Sequence, residues 1–246
     1  MTDPRQELSE IAAGIRAVLE LQQALGHRVE PTSGTPQDAS APPAQTAEPV
    51  VEKDLSNLAH GDVAAVRQVL GDCQRCGLCA GRSQIVFGVG DPRARLLVIG
   101  EAPAFQEDRA GEPFVDEGGQ MLDLMLTRVL GLQRSEVYLT SVVKCRPPDN
   151  RAPTVDELRA CRPFLEAQIA AVQPAVILIM GNMAFKALFN EKIGISSARG
   201  QWRTWAGIPV MPTFHPRYLL RKPSAKRLSF SGHDDHRALH AAPTRR

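Results

Sequence analysis

From about residue 56 onward, short apolar runs alternate with stretches whose apolar positions recur at helical spacing. Leu96–Gly100 (LLVIG) is a short apolar run closed by glycine, which predicts a buried strand. Residues 121–130 carry helical periodicity, and Val137–Val143 (VYLTSVV) is rich in β-branched residues and predicts a second strand. Thr154-Val-Asp-Glu157 fits a capping box, opening a helix that runs to about Val172. Pro174 precedes a further buried run, Ala175–Met180 (AVILIM). Gly181-Asn182 opens another helix, and Ile208–Pro212 reads as a last short strand. Strands alternating with helices predict an α/β fold with a mostly parallel sheet covered on both faces. Ligands of such sheets sit beyond the carboxyl ends of the strands. Four loops leave those ends, after Gly100, Val143, Gly181 and Pro212, and the unusual residues collect mainly in three of them.

Upstream the pattern differs. Thr2-Asp3-Pro4 resembles a helix start, Leu8, Ile11, Ile15, Val18, Leu19 and Leu25 follow at helical spacing, and Gly26 is a stop signal. Residues 31–49 hold five prolines among Ala, Thr, Ser and Gln, a composition that buries little. The expected organisation is an amphipathic helix (1–30), a Pro/Ala-rich linker (31–54), a compact domain (55–228) and a polar tail (229–246). The first helix reads either as a loosely docked element or as an interaction helix for a protein partner.

Composition sharpens this division. With 246 residues, 43% apolar and only 5% aromatic, the chain supports one aliphatic core plus appendages. It has no run of about 18 apolar residues and no secretory n- and h-regions at its start, so a monomeric cytoplasmic protein with no membrane association is expected. The net charge of +2 hides an asymmetry: residues 1–54 carry nine acids and four bases, a net of −5, which leaves +7 on residues 55–246.

Five cysteines in such a chain point to metal or redox chemistry rather than disulfides. Cys73 and Cys76 form a CxxC, Cys79 follows, Cys145 lies just past the VYLTSVV strand, and Cys161 falls in the next helix. Thiolates suit zinc or an iron–sulfur cluster. One close pair plus two singles leans to a cluster, with a redox CxxC and two buried apolar cysteines as the alternative. The loop Gly100–Asp108 (GEAPAFQED) has small residues that let a ligand approach the backbone, and three acids that speak against a phosphate cradle. Phe114 is a loop aromatic able to stack on a planar ligand. Residues 215–222 (HPRYLLRK) interleave bases with an aromatic and two leucines, which suits a phosphate backbone plus an apolar wedge.

Together these blocks resemble the family 4, iron–sulfur uracil-DNA glycosylases. The similarity runs from about Leu70 to Arg227 through CxxC, GRSQIVFGVGDP, GEAPAFQED, GEPFVDEGGQML, VYLTSVVKCRPPDNRAP, the helix cysteine and HPRYLLRKPSAKR. The resemblance implies a three-layer α/β/α sandwich and a 4Fe-4S cluster on Cys73, Cys76, Cys145 and Cys161, with Cys79 outside the set. It implies hydrolysis of the N-glycosidic bond of uracil in single- or double-stranded DNA, leaving an abasic site for base-excision repair, with the nucleotide flipped out of the stack. Glu101 and His215 are then the expected catalytic residues, His215 donating to the base O2. Ala102, Glu107, Phe114, Ser141 and Asn150 would contact the substrate: Ala102 at the sugar, Glu107 at the base C5 edge, Phe114 stacked on the base. Arg217, Arg221 and Lys222 would hold phosphates, and Leu219 would fill the gap in the duplex.

Three positions depart from the family pattern. Ala104 stands where glycine is usual and is expected to crowd its loop or force a positive φ. Asp116 replaces a usual glycine and would repel phosphate. Ser141 replaces the asparagine that pairs with the uracil edge, and a single hydroxyl cannot reproduce that donor–acceptor pair. These departures define two further readings: an iron–sulfur DNA-binding homologue with weak or no catalysis, or a glycosylase of shifted base specificity.

Overall fold

A computed structural model describes residues 61–189 and 191–222. The N-terminal helix, the linker and the polar tail lie outside the described residues. In chain order the helices are α1 (Val63–Leu70), α2 (Phe105–Ala110), α3 (Glu117–Met125), α4 (Val155–Val172), α5 (Asn182–Phe189), α6 (Ile195–Ala198) and α7 (Pro216–Arg221). The strands are β1 (Val89–Gly90), β2 (Leu96–Gly100), β3 (Tyr138–Ser141), β4 (Val176–Met180), β5 (Arg203–Trp205) and β6 (Ile208–Thr213).

The strands form one sheet in the order β1-β3-β2-β4-β6-β5. The central four are parallel and the two edge strands are antiparallel. β2 and β4 are buried at every position, which is why they read as unbroken apolar runs rather than as alternation. Their side chains still alternate between layers. Leu97, Ile99, Ile177 and Ile179 pack with Leu165 and Ile169 of α4, Phe185 of α5 and Leu219 of α7. Leu96, Val98, Val176 and Leu178 face Leu122 of α3 and Leu126. The result is the three-layer α/β/α sandwich, with α1 packed on α4 through Val66, Leu70, Phe164 and Ala167.

Several local expectations need correction. The second predicted strand stops at Ser141, because its partner β2 ends at Gly100 in register with it. Val142 and Val143 are buried in the bend that follows. Two segments read as loops contain helices. Residues 105–110 form α2, where Glu107 accepts the Ala104 N–H at 3.1 Å and Gly111 closes the helix at φ 74°. Residues 216–221 form α7, capped by His215 with Pro216 in its first turn. The edge strands β1 and β5 are too short for periodicity to reveal. The capping box at Thr154 is present, and Arg151 adds two bonds to the Glu157 carboxylate at 2.7 and 2.8 Å.

Candidate active site

The carboxyl ends of β2, β4 and β6 open into one cleft of about 1040 Å³. Of the residues named from sequence, Glu101, Ala102, Glu107, Asn150, His215, Arg217 and Arg221 line it.

Glu101 follows the last residue of β2. Its Oε1 accepts the N–H of Met183, in the first turn of α5, at 2.8 Å, so the helix N-terminus fixes the carboxylate. Gly181 makes this approach possible: it sits at φ +105°, and a Cβ there would come within 2.5 Å of Oε1. Burial raises the Glu101 pKa, against the lowering effects of the Met183 N–H and the charges of Arg217 and Arg221.

His215 is partly buried at the start of α7, and its Nδ1 accepts the N–H of Arg217 at 3.2 Å. That bond leaves the proton of a neutral imidazole on Nε2. Burial, aided by the Arg217 charge, lowers the His215 pKa to about 4, so the ring is a neutral donor at pH 7. It stacks on Phe114 with centroids 5.8 Å apart and planes at 19°. Phe114 is itself held at φ 56°, with its ring tip 2.6 Å from where a Cβ on Gly100 would lie.

Arg217 is engaged by two carboxylates. Its Nε bonds Asp116, and its Nη2 reaches both oxygens of Glu107 at 2.6 and 2.7 Å. Burial alone would raise the Asp116 carboxyl, but the Arg217 bond and charge, with the N–H groups of Gly119 and Gly118, leave it lowered. The expectation that Arg217 holds phosphate therefore meets a guanidinium already paired with two carboxylates, and Asp116 is an ionised partner of Arg217 rather than a free carboxylate. Ala104, expected to be strained, lies at φ −106° in extended backbone.

Leu219, expected as the wedge, is 1% exposed and packs in the core, a placement that the wedge reading did not anticipate; its neighbour Leu220 lines the cleft. Arg221 and Lys222 are exposed, the latter 5.7 Å over the Tyr218 ring. Ser141 is buried, and its carbonyl accepts Lys144 Nζ at 2.6 Å. Asn150 is exposed and accepts Arg146 Nε at 2.8 Å.

Sequence reading missed Lys144. It is 1% exposed, bonds Thr140 Oγ1 at 2.7 Å, and burial pulls its pKa to about 8. A lysine adjoining a β-branched run buried on both faces is the signal that could have found it.

Cys73, Cys76, Cys145 and Cys161 line a separate cavity with Arg75, Arg82 and Lys144, whereas Cys79 does not line it. Arg82 donates to Cys145 Sγ and Arg75 to Cys73 Sγ, each at 3.4 Å. Burial pushes the Cys161 thiol up to about 11. Among the described residues no group of three or more His, Cys, Asp or Glu is placed to hold a single metal ion. Ala102 packs against the cluster formed by Leu78, Val143, Cys145 and Cys161 and also lines the cleft, so it lies between the two sites.

Residues 87–233 match the family model for the uracil DNA glycosylase superfamily. The chain is 43% identical over 154 residues to the type-4 uracil-DNA glycosylase of Thermotoga maritima, covering 62% of this chain and 80% of that protein. It is 38% identical over 172 residues to the type-4 enzyme of Sulfurisphaera tokodaii, covering 66% and 78%. It is also 31% identical over 144 residues to the type-5 uracil-DNA glycosylase of Pyrobaculum aerophilum, covering 52% and 63%.

Proposed function

Because the chain belongs to the uracil-DNA glycosylase superfamily, we propose that it hydrolyses the N-glycosidic bond of uracil in DNA, as a monomer in the cytoplasm. The observation that carries this reading is the convergence of Glu101 and a neutral His215 on one cleft at the carboxyl ends of the parallel strands. In the reaction the bond between the base nitrogen and C1′ breaks, and its electron pair leaves with the base. Preorganised electrostatics is the main means of stabilising such charge separation. His215 Nε2–H donates to the O2 of the departing uracil anion. The Glu101 carboxylate faces the positive charge on the sugar and takes the proton of the water that adds to C1′; its raised pKa favours that transfer. Glu107, held by Arg217, closes the wall at the base C5 edge.

We also propose that Cys73, Cys76, Cys145 and Cys161 hold a 4Fe-4S cluster. Four thiols around one cavity, with Arg75, Arg82 and Lys144 beside them, supply soft ligands and positive charge for an anionic group. Cys73 and Cys76, Cys145 after β3 and Cys161 of α4 would hold the group, whose role would be structural: these three segments would be tied together beside Ala102.

Uracil release from a single-stranded uracil oligonucleotide under anaerobic conditions tests the reading, with His215→Ala and Ser141→Asn alongside. Wild type releases uracil and His215→Ala loses the activity. A protein that carries its cluster, binds DNA and releases no base overturns the reading. Release gained only in Ser141→Asn identifies a non-catalytic homologue, and release of a different deaminated base identifies shifted specificity.

A further inference from the structure

Helix α2 has an inverted polarity. Its two carboxylates, Glu107 and Asp108, are 3% and 2% exposed, while Phe105 is 51% exposed. The acids are engaged inward. Glu107 pairs with Arg217, and Asp108 accepts the N–H groups of Ser83 and Gln84. What α2 presents outward is an aromatic ring and a cation. The guanidinium of Arg109 lies 5.7 Å from the Phe105 centroid, and that of Arg146, from the segment after β3, lies 5.1 Å from it. Arg146 is held there by Asn150 Oδ1. Among the described residues neither guanidinium pairs with a carboxylate, in contrast to Arg217. Phe105 lines the same cleft as Glu101 and His215.

We propose that Phe105, with Arg109 and Arg146, is a stacking platform at the cleft edge for an unpaired nucleobase next to the extruded nucleotide, the two guanidiniums holding the adjoining phosphates. The ring is half exposed, and a base covers its face as the two guanidiniums now lying over it turn to the phosphates. Cations beside it supply the charge a strand backbone needs, and this is the combination that single-strand binding uses. The platform places a contact outside the base pocket and makes the enzyme bind strands whose bases beside the lesion are unstacked. It rests on the reading that DNA enters this cleft.

Fluorescence anisotropy with a labelled single strand containing 2′-fluoro-deoxyuridine, which resists cleavage, and with the matching uracil-free strand, tests the platform apart from catalysis. Phe105→Ala is expected to weaken binding to both strands by about 5- to 150-fold. Phe105→Trp keeps the affinity, and Phe105→Leu behaves like Phe105→Ala. Arg109→Gln and Arg146→Gln each reduce the slope of log affinity against log salt by about 0.7. Unchanged affinity in Phe105→Ala, full rescue by leucine, or a loss confined to the uracil strand overturns the platform. Wild type that binds both strands but never releases uracil overturns the proposed function and leaves the platform standing.

Discussion

At the residue scale the cleft turns on Arg217, whose three commitments belong to three different elements. Its N–H fixes the His215 ring, and its guanidinium ties Glu107 of α2 to Asp116, the N-cap of α3. A phosphate ligand and a positioning residue give opposite signatures. Arg217→Ala is expected to lower kcat while leaving the salt slope of DNA affinity unchanged; a phosphate contact would flatten that slope. Gly181→Ala is expected to displace the Glu101 carboxylate and reduce kcat by about 100-fold without changing DNA affinity, as single-turnover rates and anisotropy will show. His215 also gives a pH signature. Its folded pKa of about 4 lies below the ordinary 6.5, so its contribution is complete above about pH 6.5 and is lost as pH falls toward 4. Urea unfolding across that window should show a loss on the order of 3 kcal/mol at most, and His215→Ala should flatten it.

At the element scale, two short helices that look like loops in the sequence, α2 and α7, line the cleft beside the loop that carries Glu101. α7 is capped by His215 and anchored by Leu219, which is buried in the same core cluster as Phe185 and Phe214. Leu219→Ala is therefore expected to cost about 2–5 kcal/mol in urea unfolding, whereas Leu220→Ala should leave stability nearly unchanged. Helices of six residues escape periodicity because they complete fewer than two turns. Their caps are legible afterwards: Pro216 in the first turn of one and Gly111 closing the other. The eighteen-residue α4 was readable at both ends, because its capping box and its length both leave local marks. The apolar pattern also placed β2 and β4, but it could not say that β3 ends where β2 does.

At the scale of the whole molecule, the thiol cavity and the cleft meet through Ala102. Cys161→Ala is expected to abolish the iron content measured on anaerobic protein and to lower Tm, while Cys79→Ala should retain both, since Cys79 stands outside the cavity. The amino-acid sequence alone determined the alternation of strands and helices, the parallel sheet that follows from it and the order of the site motifs. These are properties of burial and spacing within single elements, and local pattern records them. Only the tertiary structure decided that Leu219 is core while Leu220 lines the cleft, that Asp116 is paired with Arg217, and that Phe105 and two arginines share one surface. Arg217 meets Asp116 and Glu107 across 101 and 110 residues of chain. Such pairings depend on where separate elements end in space, which no local periodicity encodes.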